Sequence, residues 1–161
     1  MRCYFLRHGL AGDREDWQGD DSERPLTAEG IEKMGREAKT IAALKLQLDA
    51  IVTSPLTRAR QTAEIVAKEL KLRDRLVEDD NLGLAFDLEH LTNVLEKHAG
   101  ANSIMLVGHD PSMSETIGQL IGNARVEMKK GSLACVEIAT PSSRNGVLTF
   151  LLPPKVLAGG R

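Results

Sequence analysis

Two arginines and two histidines stand where short apolar runs, typical of buried strands, come to an end. Arg7 and His8 close the first of these runs, and His109 follows a later one. Arg58 lies one helical turn beyond the end of another run. Because ligands of open α/β sheets bind outside the carboxyl ends of the strands, we expect these side chains to converge at one sheet edge.

This set of residue types is suited to binding and transferring a phosphoryl group. Guanidinium groups offer planar forks of donors that match phosphate oxygens. A neutral imidazole attacks phosphorus well, and nearby arginine charges would lower the pKa of His8 and keep it neutral. Arg7, Arg58 and His109 would stabilise charge on the transferring group, which is most of the task in phosphoryl transfer. Gly9 would let the backbone approach the same ligand.

A metal site is the main alternative use of His8 and His109. The sequence has neither an H-x-x-x-H nor an H-E-x-x-H spacing, and Arg7 and Arg58 would repel a cation. It also has no G-x-S-x-G elbow for a serine nucleophile and no G-x-x-x-x-G-K-[ST] loop for a nucleotide triphosphate. We therefore predict that the chemistry requires no metal and no cofactor.

The composition narrows the choice of partners and of compartment. A formal net charge of -2 and 3% aromatic residues give no basis for nucleic-acid binding, and no apolar run is long enough for a membrane helix. The start of the chain lacks the features of a signal peptide. Cys3 and Cys135 both fall in predicted strands, where we interpret them as buried apolar residues. A cytoplasmic location is expected.

Apolar runs alternate with helical patterns along all 161 residues, which predicts a single α/β domain. The expected architecture is a three-layer sandwich with a mostly parallel central sheet. The predicted strands are residues 2–6, 50–53, 76–78, 104–107, 133–139 and 147–152. Thr27, Ser54 and Ser112 are predicted helix N-caps, with Pro55 at the first helical position. Residues 153–161 are expected to be an irregular surface segment.

Three segments of the sequence resemble the histidine phosphatase superfamily, also called the phosphoglycerate mutase-like family. They are residues 6–9 (Leu-Arg-His-Gly), residues 54–63 (Ser-Pro-Leu-Thr-Arg-Ala-Arg-Gln-Thr-Ala) and residues 107–109 (Val-Gly-His). The resemblance implies a phosphoglycerate mutase-like fold in which His8 is the phosphorylated nucleophile. It also implies that Arg7, Arg58 and His109 form the phosphate pocket.

Within that superfamily, the chain looks like the small SixA-type phosphohistidine phosphatases. Residues 24–30 (Arg-Pro-Leu-Thr-Ala-Glu-Gly) and residues 108–111 (Gly-His-Asp-Pro) carry this resemblance, and the chain is too short for the lid insertions of a mutase. The resemblance implies a histidine-phosphorylated protein as substrate and inorganic phosphate as product. Two alternatives remain open, namely a small-molecule phosphomonoesterase using the same residues and a non-catalytic module that binds phosphorylated protein.

The chain departs from the family in residues 78–87, where no glutamate occupies the usual place of the acid that protonates the leaving oxygen. Asp80 and Asp110 are the candidate acids, with Asp79 beside them. An alkoxide leaving group needs a proton donor, whereas the nitrogen of a phosphoramidate can already be protonated. The absence therefore favours phosphohistidine over phosphate monoesters.

The predicted loop of residues 13–23 is strongly acidic and contains one tryptophan. It is either a solvated surface loop or a rim that selects protein surfaces and repels highly anionic small molecules. Arg24, which follows the loop, would either contact the substrate phosphate or pair with the acidic residues. The oligomeric state is not predicted.

Overall fold

The computed structural model describes residues 1–159, which contain six strands and five α-helices. The strands are β1 (Arg2–Arg7), β2 (Ala50–Thr53), β3 (Leu76–Glu78), β4 (Ser103–Gly108), β5 (Leu133–Ile138) and β6 (Gly146–Leu152). The helices are α1 (Ala28–Ala43), α2 (Thr57–Glu69), α3 (Leu88–Lys97), α4 (Ser112–Leu120) and α5 (Pro154–Leu157). Short 3-10 turns occur at Arg14–Asp16, Asp21–Glu23, Arg73–Arg75 and Asp80–Leu82.

All six strands belong to one sheet in the order β3-β2-β4-β1-β5-β6. Neighbouring strands among β3, β2, β4 and β1 pair in parallel, while β5 runs antiparallel to both β1 and β6. The carboxyl ends of the four parallel strands therefore meet at one edge. This topology confirms the predicted α/β class with a mostly parallel sheet.

Apolar side chains fill the space between the sheet and the helices on both of its faces. Tyr4 and Leu6 of β1 pack with residues of α1 and α2, whereas Cys3 and Phe5 pack with residues of α3 and α4. Every residue of β4 is buried, as expected for a central strand covered on both faces. The predicted three-layer sandwich is confirmed, and both cysteines are buried and free.

The predicted N-cap of α1 is confirmed. Thr27 Oγ1 accepts a hydrogen bond from Gly30 N at 2.9 Å. A Cβ atom at position 30 would lie only 2.0 Å from Leu10 O, so α1 can approach the loop after β1 only with glycine there.

The other two predicted caps are wrong. The first residue of α2 is Thr57 rather than Pro55, and Leu56 is its N-cap. Ser54 thus precedes the helix and faces the sheet edge. Helix α4 starts at Ser112 without a cap from that side chain, because the Asp110 carboxylate accepts the hydrogen bond from the helical backbone instead.

The end of the chain also differs from the prediction. Residues Pro154–Leu157 form the short helix α5, and Leu157 is completely buried against the α1 face of the core. Burial of this leucine makes the segment part of the core rather than an irregular surface tail. Gly160 and Arg161, also included in the prediction, lie outside the described residues. Within residues 1–159, no helix is long and apolar enough to cross a membrane.

Candidate active site

The sheet brings the predicted site residues together at the carboxyl edge. The ring centroids of His8 and His109 lie 5.3 Å apart, and both side chains are almost fully buried. The strand ends are tied to one another, since His8 N donates to Gly108 O at 3.0 Å and Ser54 N donates to Val107 O at 2.9 Å. The expected convergence therefore results from parallel pairing of β1, β4 and β2.

His8 is held in a single tautomer by its neighbour. Its Nδ1 lies 2.7 Å from Gly9 O, and because a carbonyl oxygen only accepts, Nδ1 must carry the proton. Burial lowers the pKa of His8 to about 3; the Gly9 hydrogen bond opposes this effect, and the charges of Arg58 and Arg7 reinforce it. The ring is therefore neutral at physiological pH, and Nε2 carries a free lone pair.

Arg58, in the first turn of α2, is anchored by the loop that precedes α1. Its Nη1 donates to Asp21 O at 2.8 Å and its Nη2 donates to the Asp21 carboxylate at 3.1 Å. The Nε of Arg58 is buried and has no hydrogen-bond partner within residues 1–159. The two terminal nitrogens, which form the outer edge of the guanidinium group, are thus fixed by Asp21, whereas the inner donor Nε is unused.

Asp21 is the centre of an ion-pair cluster, because Arg24 Nε also donates to its carboxylate at 3.0 Å. Burial acts to raise the pKa of Asp21, but the hydrogen bond from Arg24 and the charge of Arg58 outweigh it and hold the pKa below its usual value. Asp21 is therefore a carboxylate that pairs with two arginines and compensates one of their two positive charges.

Arg7 is anchored in the same manner from the opposite side. Its Nη1 donates to Met128 O at 2.7 Å and lies 3.9 Å from the Asp110 carboxylate. The Nε of Arg7 is also buried, and no atom of the described chain accepts from it.

His109 is positioned by Ser54. Its Nε2 lies 2.7 Å from Ser54 Oγ, which itself accepts from Leu56 N at 3.2 Å. Among residues 1–159, Nε2 is the one acceptor within reach of the serine hydroxyl, so we assign the serine proton to Nε2 and the imidazole proton of the neutral ring to Nδ1. Burial and then the charge of Arg58 lower the pKa of His109 to about 4. Its Nδ1 is buried, with no partner in the part of the chain that the structure describes.

Each of these four side chains is therefore held in position through at least one nitrogen atom and keeps another nitrogen free. The free atoms are three buried donors, on Arg7, Arg58 and His109, and the lone pair of His8 Nε2. Buried polar atoms are nearly always hydrogen-bonded, so unpaired donors grouped around two adjacent rings indicate a site for a ligand with several acceptor atoms. A tetrahedral oxyanion has this property.

The family comparison agrees with this geometry. The sequence model of the histidine phosphatase superfamily, branch 1, matches residues 3–83, which is half of the chain. The chain belongs to the histidine phosphatase superfamily.

Similar proteins extend the match over most of the chain. An uncharacterized protein of Picosynechococcus is 39% identical over 118 residues, which cover 71% of this chain and 70% of that protein. Phosphohistidine phosphatase SixA of Escherichia coli is 27% identical over 161 residues, covering 96% of this chain and 94% of that protein. The structure of the protein histidine phosphatase SixA complexed with tungstate superposes with a TM-score of 0.85 at 25% identity, covering 98% and 99% of the two chains. The predicted phosphoglycerate mutase-like fold is confirmed.

Gly9 has a different role in this histidine phosphatase fold from the expected phosphate contact. Its N–H donates to Thr62 Oγ1 at 3.0 Å, and its carbonyl accepts from His8. A Cβ atom at position 9 would lie 2.5 Å from Met34 Cγ, so close packing against α1 explains the glycine. Gly9 therefore orients His8, and its backbone donor is already used.

Arg24 does not extend freely into the site, since Nε is paired with Asp21 and a second nitrogen donates to Gly12 O. Of the two alternatives from the sequence, the structure shows the pairing with the acidic loop. That loop contains two 3-10 turns, and Asp21 is the acidic residue that turns inward from it.

The three candidate acids differ in their surroundings. Asp80 is exposed in the 3-10 turn after β3. Asp79 accepts hydrogen bonds from Lys97 and Asn81, which together outweigh burial and lower its pKa. Asp110 lies beside Arg7, but its carboxylate accepts from Ser114 N at 3.1 Å and from Ser114 Oγ at 2.6 Å. The carboxylates of Asp79 and Asp110 are thus already engaged, Asp79 with Lys97 and Asn81 and Asp110 with Ser114.

Two residues of the site were missed by sequence reasoning, namely Asp21 and Ser54. Asp21 was included only as part of an acidic loop, and Ser54 was interpreted as a helix cap. The available signal was their spacing to the arginines, since Asp21 precedes Arg24 by one turn and Ser54 precedes Arg58 by four residues.

Proposed function

We propose that this histidine phosphatase is a phosphohistidine protein phosphatase that carries the phosphoryl group on His8 during turnover. The observation that supports the proposal most strongly is the unprotonated Nε2 of His8 beside three buried, unpaired donors. The likeness to SixA proteins, which their names describe as phosphohistidine phosphatases, supports the same substrate class. Tungstate, present in one of those structures, is a tetrahedral oxyanion like phosphate.

The first step moves the phosphoryl group to the protein. His8 Nε2 forms a bond to phosphorus while the P–N bond of the substrate phosphohistidine breaks. The substrate imidazole keeps the electron pair of that bond and leaves as a neutral ring when its other nitrogen is already protonated. Arg7, Arg58 and His109 donate to the oxygens of the transferring group, which carry the developing charge. Gly9 O stabilises the phosphorylated His8 ring, which is cationic, by accepting from Nδ1.

The second step regenerates the protein. A water oxygen bonds to phosphorus, the bond from phosphorus to His8 Nε2 breaks with its electron pair going to Nε2, and both protons of the water leave with the inorganic phosphate or pass to solvent. His8 returns to the neutral tautomer that Gly9 O favours. No step requires a metal or a cofactor.

The surroundings of the candidate acids support phosphohistidine as the substrate class. Asp79 and Asp110 are engaged with Lys97 and Ser114, and Asp80 is exposed. An alkoxide would leave without a well-placed proton donor, whereas an imidazole needs none. Asp110 contacts the site through Arg7, at 3.9 Å, and is therefore the acid to test first if monoesters prove to be the substrates.

The test compares phosphate release from a histidine-phosphorylated protein and from a panel of alkyl phosphate monoesters, with a chelator present. We expect a clear preference for the phosphoprotein, and trapping of phosphate on His8. The His8→Ala variant should fold and lose turnover, while His98→Ala, a matched change after α3, should keep it. A folded His8→Ala variant with full activity would refute the nucleophile. Preference for a monoester would select the alternative substrate class, and phosphate binding without any trapped phospho-His8 would select a non-catalytic module.

A further inference from the structure

A cavity of about 350 Å³ lies beside the candidate active site on the α1 face of the sheet. Its charged lining consists of Arg7, Lys33, Glu37, Lys129 and Lys130. Four cationic groups thus face a single carboxyl group. Lys33 also pairs with the exposed Glu29 at 3.0 Å, but Lys129 and Lys130 form no ion pair with any of residues 1–159. The cavity therefore has an excess of positive charge that the described protein does not balance.

Glu37 makes this cavity more than a patch of surface lysines. It lies in the third turn of α1, is only 2% exposed, and lines the cavity wall. Its Oε2 is buried and lacks a hydrogen-bond partner in the described structure. Burial raises the pKa of Glu37 to about 8, against the lowering effect of Lys33 and Arg36. At neutral pH the group is therefore mainly a protonated acid, which can donate a hydrogen bond to an anion.

The loop before β5 shapes the wall around Glu37. Gly131 has a φ of +86°, and a Cβ atom there would lie 2.6 Å from Glu37 Oε2. Glycine is therefore required both by the backbone conformation and by the closeness of the carboxyl group. The loop carries Lys129 and Lys130, which line the cavity together with residues of α1.

The same loop connects the cavity to the candidate active site. Gly131 N donates to the carbonyl oxygens of Arg7 and His8, both at 3.1 Å. Arg7 itself lines the cavity and also belongs to the phosphoryl site. The cavity and the phosphoryl site are therefore close enough for one substrate to occupy both, provided that it carries two anionic groups.

We propose that this cavity is a second anion subsite, which holds a carboxylate of the substrate next to the phosphoryl group. On a histidine-phosphorylated protein, that carboxylate is the side chain of an aspartate or glutamate near the phosphohistidine. The inference rests on the proposed function, because the phosphoryl site defines where the second anion is bound. It predicts that aspartate or glutamate residues close to the phosphohistidine strengthen the binding of the substrate protein.

A binding experiment separates this inference from the proposed function, because it needs no turnover. The affinity of the wild-type protein for methylphosphonate is compared with its affinity for a series of phosphonocarboxylates of increasing length. We expect the best-matched phosphonocarboxylate to bind roughly tenfold more tightly than methylphosphonate, as is typical for one added charge-assisted contact. Lys33→Gln/Lys129→Gln/Lys130→Gln should abolish this preference.

A matched control tests whether the effect is local. Lys68→Gln/Lys71→Gln/Arg73→Gln removes the same amount of charge from a groove at the far end of α2. It should keep the preference for the phosphonocarboxylate. Equal affinities of the wild-type protein for the two ligand types, or equal losses in both triple variants, would overturn the subsite alone. Failure of methylphosphonate and all phosphonocarboxylates to bind would overturn the phosphoryl site as well.

A second arm identifies the source of the carboxylate. Histidine-phosphorylated peptides with glutamate or glutamine beside the phosphohistidine are compared as substrates. We expect KM to be lower for the glutamate peptides by a similar factor, and the difference to disappear in the variant that lacks Lys33, Lys129 and Lys130. A preference confined to small phosphonocarboxylates, with no difference between the peptides, would overturn the assignment to a protein side chain.

Discussion

On the α2 side of the candidate active site, the Asp21 carboxylate lies 3.1 Å from Arg58 and 3.0 Å from Arg24. On the α1 side, the carboxyl group of Glu37 is buried with one oxygen unpaired among the described residues, although three lysines line the same cavity. Asp21 thus contacts one arginine of the site directly, and Glu37 lines the same cavity as the other, Arg7. The pKa of Asp21 is lowered, while that of Glu37 is raised to about 8.

The difference shows that burial and contact geometry together, and not the local number of basic residues, decide the ionisation of these acids, since Asp21 is half-buried and Glu37 is almost fully buried. Direct hydrogen bonds from two guanidinium groups outweigh the cost of burial for Asp21. Lys33 and Arg36 act on Glu37 only from a distance, and burial prevails. The arginines of the α2 side are therefore held in direct ion pairs, whereas Lys129 and Lys130 on the α1 side pair with no acidic group of residues 1–159 and retain positive charge for a ligand.

Among these tests of the two sides, the largest effect is expected from Asp21→Ala, which removes the ion pairs on the α2 side. Arg58 would lose the carboxylate that fixes its outer edge, and the position of its inner donor would no longer be defined. We expect kcat/KM for phosphohistidine protein to fall about a hundredfold, as misplacement of a contact group typically does. Steady-state kinetics of Asp21→Ala and of Asp13→Ala, an exposed acidic residue of the same loop, measure the effect.

A double-mutant cycle with Arg58→Ala shows whether Asp21 acts through this arginine. If it does, adding Asp21→Ala to Arg58→Ala will have almost no further effect. Independent, additive losses would contradict a positioning role. Partial rescue by Asp21→Asn, which keeps one acceptor for Arg58, is also expected.

A smaller effect is expected from Ser54→Ala, which removes the hydroxyl group that fixes the tautomer of His109. The ring would lose its donor at Nε2, so Nδ1 would carry the proton for only part of the time. We expect a loss of roughly tenfold in kcat, the range of a displaced hydrogen-bond donor. Nitrogen NMR of the imidazole groups should show His109 moving away from the Nδ1–H tautomer.

The Ser54→Thr variant keeps the hydroxyl group and should largely restore both kcat and the NMR signature. An unchanged His109 tautomer in Ser54→Ala, whatever the activity, would contradict the assignment. So would a loss of kcat in Ser54→Ala that Ser54→Thr fails to restore.

The convergence of Arg7, His8, Arg58 and His109 was predictable because it depends on one property of the sequence. Each residue follows an apolar run, and parallel strands place their carboxyl ends at the same edge. No detail of side-chain packing is needed for that inference. The fold class was predictable for the same reason.

The anchoring residues were not predictable because their roles depend on tertiary contacts between distant positions. Six acidic residues occupy positions 13–23, and nothing in their type separates Asp21 from the others. It is distinguished only by the fold, which places it against Arg58, 37 positions away. The burial of Glu37 was equally unpredictable, since Glu37 packs closely against Gly131, which lies far along the chain, beyond β4 and α4. The buried Leu157 was missed for the same reason.

The smallest effect is expected from Glu37→Gln, which tests the α1 side of the site. The pKa of Glu37 is about 8 in the folded protein, against 4.5 for the ordinary group, so the folded state holds a proton that the unfolded state releases. Its contribution to stability is therefore present below pH 4.5 and is lost as the pH rises toward 8. Glutamine cannot ionise, so the substitution should raise the free energy of unfolding at pH 8 by about 1 kcal/mol, with the benefit limited by a buried amide. Below pH 4.5 the gain should vanish.

Urea unfolding of both proteins across this pH range measures the difference. Glu32→Gln, the same substitution at an exposed position of α1 that pairs with Arg36, is the matched control. It should change stability by less than about 0.5 kcal/mol at every pH, because exposed ion pairs contribute little. A Glu37→Gln effect that does not depend on pH would show that the pKa of Glu37 is the same in the folded and unfolded states, and a loss of stability at pH 8 would show that its carboxylate is ionised and paired. The α1 cavity would then contain one carboxylate beside its four cationic groups, and its excess of positive charge for a second anion would be smaller by one.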